Sequence, residues 1–93
     1  MSIIATSSFT ADASGSADAV VVPTVAKGAT RLHITPPSGH AWSLAAPNVD
    51  STVHNYQLDE QADLPCVAVI GKAVAYVALD TGTGTFQTIW YTP

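Results

Sequence analysis

Three histidines are the side chains of this 93-residue chain best suited to bind a metal or move a proton. His33, His40 and His54 have spacings that match no compact ligand motif, and ligands on different strands converge only through the tertiary fold. We therefore expect surface or half-buried histidines, with no metal and no cofactor. One alternative stays open: beside a threefold axis, one histidine from each subunit of a trimer would form a three-histidine site.

Nucleophilic catalysis has equally little support in the sequence. Ser, His and Asp are all present, but the chain contains no Gly-x-Ser-x-Gly turn. Cys66 lies in an apolar run, where a buried thiol is usually inert. Residues 82–84 (Gly-Thr-Gly) look like a phosphate loop, but such a loop precedes a helix, and here the strand-like residues 86–90 follow. The sequence predicts a protein that is not an enzyme.

Carboxylates and aromatic side chains offer two further kinds of chemistry. Asp59, Glu60 and Asp63 form the one concentrated acidic patch, which predicts a solvated turn or, as the alternative, a weak calcium contact. Aromatic rings can stack on sugars, but a domain this small needs most of its aromatic residues as core. The residues concerned are Trp42, Tyr56, Trp90 and Tyr91.

Charged residues are scarce. They make up 11% of the chain against 47% hydrophobic residues, whereas an average globular chain has about 25% charged residues. The net charge is −4, with Lys27, Arg31 and Lys72 as the fixed cations. These are too few to neutralise a nucleic acid or an anionic membrane, so we expect neither as a partner. Either Ser and Thr keep the surface soluble, or neighbours in an assembly cover part of it, and we favour the assembly.

The sequence predicts that the segments carrying these residues are β-strands. Residues 30–35, 40–46, 53–58 and 85–92 alternate apolar and polar side chains, and residues 36–39 (Pro-Pro-Ser-Gly) form a loop between two of them. The pattern predicts an all-β fold, a small antiparallel β-sandwich or barrel of six to eight short strands. Residues 19–93 are one β domain. Residues 1–18 are small and polar, and predict a flexible N-terminal arm or an irregular strand.

The apolar runs 66–70 and 73–79 flank Gly71-Lys72, which suits a hairpin with a two-residue type II′ turn. In that register Val67, Val69, Val74 and Tyr76 share one face. The opposite face carries Cys66, Ala68, Ile70, Ala73, Ala75 and Val77. Both faces are apolar, so such a hairpin must be covered on both sides, by the chain itself or by another subunit.

Residues 32–44 (Leu-His-Ile-Thr-Pro-Pro-Ser-Gly-His-Ala-Trp-Ser-Leu) and residues 74–93 resemble the small β-rich decoration, or cement, proteins of tailed-bacteriophage capsids. The resemblance implies a non-enzymatic protein on the capsid surface of a virion. It also implies a homotrimer that clamps subunits of the major capsid protein or other virion subunits and so stabilises the phage head.

The expected oligomer or shell interface combines the small-residue face of the hairpin with two aromatic residues. Its members are Phe9, Trp42, Ala68, Ala73, Ala75 and Val77. Two other functions stay open. One is a carbohydrate-binding or adhesin-like module, from a phage tail or fibre or secreted, with Trp42 or Trp90 as its platform. The other is a small enzyme inhibitor that presents residues 36–39.

Overall fold

Eight strands account for most of the residues that the computed structural model describes, which are 1–14 and 18–93. In chain order they are β1 (Ser2–Asp12), β2 (Asp18–Val21), β3 (Arg31–Thr35), β4 (Trp42–Ala46), β5 (Asp50–Tyr56), β6 (Ala62–Pro65), β7 (Ala73–Leu79) and β8 (Thr83–Thr92). A single 3₁₀ turn, Thr24–Ala26, follows β2. Within the described ranges, no helix has the length and apolar character needed to cross a bilayer.

The strands form two antiparallel four-stranded sheets. Sheet A has the order β1-β8-β3-β6, and sheet B has the order β2-β7-β4-β5. The predicted all-β class is therefore confirmed, as a small β-sandwich. Most neighbours in a sheet are distant in sequence, and only β4 and β5 are both consecutive and paired. The chain crosses repeatedly between the two layers, which fixes the sheets to each other.

The core lies between the sheets and is filled by alternate residues of the central strands. On β3, Leu32 and Ile34 are fully buried, as the alternation predicts. The same alternation buries Trp42 and Leu44 on β4. On β8 the inward side chains are Phe86, Thr88 and Trp90.

Four aromatic rings form a ladder across this core. Phe9 of β1 stacks on Phe86 of β8 with ring centroids 4.9 Å apart. Trp42 of β4 meets the edge of Phe86 at 5.3 Å and stacks on Tyr56 of β5 at 4.4 Å. The ladder joins the edge of sheet A to the edge of sheet B, so these aromatic residues are structural.

Most of the predicted N-terminal arm is strand β1, which pairs with β8 from Ser2 to Asp12. Three hydrogen bonds fasten it. Trp90 Nε1–H donates to Ser7 Oγ at 3.0 Å, and Thr88 Oγ1–H donates to the Ser7 carbonyl at 3.0 Å. The Ser7 hydroxyl lies 2.5 Å from Thr88 Oγ1 and, since the Thr88 proton is already used, donates to it. Residues 15–17 of the predicted arm lie outside the described residues.

The predicted hairpin around Gly71-Lys72 is wrong. Its first run is not a strand: β6 ends at Pro65 in sheet A, and β7 begins at Ala73 in sheet B. Two-residue turns connect neighbouring strands of one sheet, whereas stacked sheets lie about 10 Å apart, so residues 66–72 are needed as a crossing. Gly71 has φ +79°, and the Lys72 amide donates to the Val69 carbonyl. Gly71 is therefore the third residue of its turn, as in type II, instead of the second.

A bulge also changes the predicted faces of β7. Val20 lies opposite Ala75 and Val21 lies opposite Ala73, which leaves Val74 as an extra residue. Val74 is consequently buried, whereas Tyr76, predicted on the same face, is 39% exposed.

Candidate functional site

The outer surface of sheet B carries an apolar row across all four strands. Val53 of β5 lies opposite Ala45 of β4, Ala45 lies opposite Tyr76 of β7, and Tyr76 lies opposite Ala19 of β2. Val53 is 58% exposed. Since the flanking alanines are short, Val53 and Tyr76 stand out from a nearly flat surface.

The crossing segment borders this row and adds two exposed valines. Val67 and Val69 are 73% and 51% exposed, and with Tyr76 they line an open groove of about 430 Å³. Asn48, Lys72 and Ala73 complete its lining. We call the combined surface the apolar face. Its members are Ala19, Ala45, Val53, Val67, Val69 and Tyr76.

Backbone hydrogen bonds hold the crossing segment in this position. The Val69 amide donates to the Val67 carbonyl at 2.9 Å, and the Lys72 amide donates to the Val69 carbonyl at 3.0 Å. Val22 beyond β2 exchanges two further bonds with the turn, one from the Gly71 amide and one to the Lys72 carbonyl. The two valines are therefore presented to solvent by a fixed backbone, and not by a loosely attached loop.

The residues predicted as an interface lie mainly inside the domain. Ala75 and Val77 have no exposed surface, and Trp42 is 3% exposed. Their neighbours are the other core side chains of the sandwich, so the chain itself covers this side of the segment. The half-buried residues of the set are Phe9, Ala68 and Ala73.

Of the four residues that the sequence placed on the opposite face of the hairpin, three are exposed. Val67, Val69 and Tyr76 do lie together, although the hairpin that suggested their proximity does not exist. Val53 and Ala45 were missed. Their register against Tyr76 depends on strand order, which no pattern in the sequence indicates.

Each histidine is hydrogen-bonded to an aspartate. His40 Nδ1 lies 2.8 Å from Asp80 Oδ1, and His54 Nε2 lies 2.9 Å from Asp50 Oδ2. In the described part of the chain, no three His, Cys, Asp or Glu side chains are grouped closely enough to hold a metal ion. The pairs tie loops and strand ends together, and hydrogen bonds from His40 and nearby amides hold the pKa of Asp80 below its ordinary value.

The third histidine belongs to a network on the outer surface of sheet A. Asp63 of β6 accepts hydrogen bonds from Arg31 Nη2 at 2.6 Å and from the Tyr91 hydroxyl at 2.5 Å. His33 Nδ1 lies 3.3 Å from the same carboxylate, and its Nε2 lies 2.7 Å from Gln61 Oε1. Burial by itself would raise the pKa of Asp63, but hydrogen bonds from Tyr91, Arg31 and His33 outweigh it and lower that pKa.

The three carboxylates of the acidic patch serve separate structural tasks. Asp59 Oδ1 accepts the Gly39 amide at 2.6 Å, and Glu60 Oε1 accepts the Gln57 amide at 2.8 Å. Asp63 belongs to the network on sheet A. These bonds stabilise turns, and the three groups are not arranged around a common point.

The remaining candidates for chemistry are enclosed. Both tryptophans are buried, and Trp42 Nε1–H donates to the Glu60 carbonyl at 2.8 Å, so neither indole offers a free face for a sugar. Cys66 is 7% exposed, and burial raises the pKa of its thiol more than the charge of Arg31 lowers it. A thiol held in this neutral form is a poor nucleophile. Residues 83 and 84, which resembled a phosphate loop, begin strand β8.

Comparisons of this chain with protein-family models, with curated proteins and with solved structures found no match.

Proposed function

We propose that this protein is a non-enzymatic structural component of a virion, which decorates a bacteriophage capsid and stabilises the head by binding between shell subunits as a homo-oligomer. The apolar face is the surface with which it binds the shell. Partners are other copies of the chain and the major capsid protein or other virion subunits. The resemblance described above is the source of the viral context.

The observation that carries this proposal is the exposure of Val67, Val69 and Tyr76 on one face. Exposed apolar residues that occur singly are ordinary, whereas a contiguous group around a groove is typical of an interaction surface. Here Tyr76 lies on strand β7, and backbone hydrogen bonds hold the crossing segment that carries the two valines, so little conformational entropy is lost when a partner covers the group. Lys72 at the rim of the groove favours a partner with a carboxylate beside its apolar contact.

The available surface fits a contact of ordinary size. A stable protein interface buries about 800 Å² on each partner. That is about a sixth of this molecule's surface of 4934 Å². One sheet face therefore suffices for stable attachment to a shell. A ligand that binds only the assembled lattice raises the free energy of disassembly by mass action, which is how a decoration protein would stabilise a head.

The test is rebinding of the purified protein to virion heads of the phage that carries its gene, after the heads have been stripped of it. Val67→Asp places a charge on the apolar face at a side chain that is 73% exposed, so folding is unaffected. Leu58→Asp is the matched control, because Leu58 is 61% exposed in the turn between β5 and β6. Co-sedimentation measures the bound fraction, and thermal release of DNA measures head stability.

We expect the wild type and Leu58→Asp to bind and to raise the temperature of DNA release, and Val67→Asp to bind at least tenfold more weakly. Equal binding by both variants would exclude the apolar face as the contact. Absence of the protein from purified heads would refute the proposed function. Binding of the wild type to a glycan array would point instead to the carbohydrate-binding alternative.

A further inference from the structure

The outer edge of sheet A is the long free edge of this fold. Strand β1 pairs with β8 alone, and the Ala13 amide donates to the Gly82 carbonyl directly opposite it. In an antiparallel ladder, alternate residues bond to the same neighbour, so Ala11, Phe9, Ser7 and Ala5 direct their backbone groups toward β8 as Ala13 does. The residues between them direct their backbone groups outward. Thr6, Ser8 and Thr10 belong to the outward set. Among the described residues, none of their amides or carbonyls has a backbone partner.

One end of this edge is closed by a side chain. The Asp12 amide, which also points outward, donates to Asp18 Oδ2 at 3.0 Å. The Asp18 carboxylate therefore stops any added strand from extending past Asp12. The open stretch of regular register runs over residues 5–11, which contain no charged residue and no proline.

The other three edges carry the protection that β1 lacks. β6 has four residues, including Asp63 and Pro65, and β2 also has four and is followed by Pro23. β5 begins at Asp50 beside a register shift and carries His54. Short strands, charges, prolines and irregular register are the features that keep sheet edges from pairing. β1 has a register shift of its own between Ile3 and Ala5, but residues 5–11 pair regularly with β8 and contain no charged residue and no proline. That regular stretch is therefore an edge that accepts another strand.

The distribution of charge favours a second copy of the chain as the occupant. The acidic residues Asp59, Glu60 and Asp63 lie at β6 or immediately before it, at the far edge of sheet A. Three strand spacings of about 4.8 Å separate β6 from β1. Two copies that meet edge to edge at β1 thus keep these acidic sides apart. Antiparallel pairing also places the carboxylates at the end of β1, Asp12 and Asp18, at opposite ends of the contact. The net charge of −4 on each copy then opposes association least.

We propose that two copies of this protein pair through β1, antiparallel, about a twofold axis beside Ser8. Ser8 then faces its counterpart, and Thr6 of each copy faces Thr10 of the other, so that the outward groups of all three residues form ladder hydrogen bonds. The two A sheets become one continuous eight-stranded sheet. The strand is already held by the Phe9–Phe86 stack and the Ser7 hydrogen bonds, so pairing orders no new segment.

This pairing goes beyond the proposed function and does not depend on it. A twofold axis normal to the shared sheet directs both apolar faces to the same side, so a pair would present twice the surface to a single partner. It also gives an even number of subunits, whereas the resemblance to decoration proteins implies three. The subunit count therefore separates the two models.

The experiment measures mass against protein concentration by native mass spectrometry and analytical ultracentrifugation. Ser8→Pro removes the central outward amide without breaking a bond to β8, which is the position an edge strand tolerates for proline. Ser8→Lys keeps the amide but places two like charges at the twofold axis. Ser8→Thr is the matched control, because it keeps the amide, the neutrality and the polar side chain. Circular dichroism establishes that each variant is folded.

We expect the wild type and Ser8→Thr to dimerise equally, and Ser8→Pro and Ser8→Lys to dimerise at least tenfold more weakly. Hydrogen exchange at Thr6, Ser8 and Thr10 should slow as the wild type associates. A wild type that is monomeric at every concentration, or one that forms a trimer, overturns the inference. Dimers that survive unchanged in Ser8→Lys also overturn it, even if Ser8→Pro does not fold.

Discussion

The outer surfaces of the two sheets differ in how their side chains are paired. On sheet A, Arg31 and Tyr91 both donate hydrogen bonds to Asp63, so these polar groups are satisfied within the folded monomer. On sheet B, Val53 and Tyr76 protrude between alanines and have no such partners. Because both faces rest on one core, the difference is not required by folding. It fits the proposal that sheet A faces solvent and sheet B faces a partner.

The largest expected difference in folding free energy is between substitutions on the inner and outer surfaces of sheet B. Ala75→Asp places a carboxylate at a fully buried position without a cation to pair with it, which costs about 3–5 kcal/mol of folding free energy. Tyr76→Asp, one residue along the same strand, should leave the free energy of unfolding within about 1 kcal/mol of the wild type. Urea unfolding of the two variants measures the difference. Equal losses would mean that Tyr76 is also part of the core.

A smaller effect is expected at the turn that supports the apolar face. Gly71 has φ +79°, and an added Cβ would meet no atom within 4 Å, so Gly71→Ala introduces backbone strain without a clash. We expect a loss of about 1–2 kcal/mol. Lys72→Ala is the control, since the hydrogen bonds of Lys72 in this turn come from its backbone. Guanidinium unfolding should show the loss for Gly71→Ala alone, and an unaltered midpoint in both would contradict the assigned turn.

On sheet A the matching perturbation is Asp63→Asn. The amide cannot keep both the ion pair with Arg31 and the hydrogen bond from Tyr91. Since the carboxylate is 33% exposed, solvent screening limits the loss of folding free energy to about 1 kcal/mol, equivalent to about 4–8 °C in Tm. Calorimetry measures it. Tyr91→Phe removes one bond and should cost less than Asp63→Asn; a greater cost would place the tyrosine hydroxyl, not the carboxylate, at the centre of the network.

The same carboxylate predicts a dependence on pH. The pKa of Asp63 in the folded state lies below its ordinary value of 3.8, so the folded chain binds the proton less readily than the unfolded chain. Its contribution is fully present above that ordinary value and is lost as the pH falls through the lowered one. The urea midpoints of the wild type and Asp63→Asn should therefore differ at about pH 5 and converge at about pH 2. A constant difference would mean that the carboxylate acts without its charge.

Sequence patterns predicted the strands that form the core because their alternation is strict. β3 and β4 bury every second side chain, and β8 does so from Phe86 to Trp90, so that Leu32, Leu44 and Trp90 lie inward as expected. Alternation depends only on which face of a strand meets the core, so it is visible without knowledge of neighbouring strands. For the same reason, alternation along one strand does not predict which strands are neighbours in a sheet.

The features that the sequence did not predict depend on contacts between distant segments. β1 has small, polar residues, and what fixes it is the fit of Ser7 and Phe9 to β8. A weak alternation is present, with Thr6, Ser8 and Thr10 outward, and the β-propensity of threonine is the signal that would have favoured a strand. The Asp63 network joins residues of β3, β6 and β8, which only the sheet register brings together.

The wide sequence separation between β1 and β8 has a consequence for how the chain folds. Ser7 and Thr88 are 81 positions apart, so the β1–β8 pair can form only after β8 has also left the ribosome. Closing so large a loop carries an entropic cost before any contact compensates it, and topologies of this kind fold slowly. During synthesis the first strand emerges long before its partner. Its lack of charge then leaves it open to premature pairing with other nascent chains, which makes expression at low temperature the favourable condition for soluble protein.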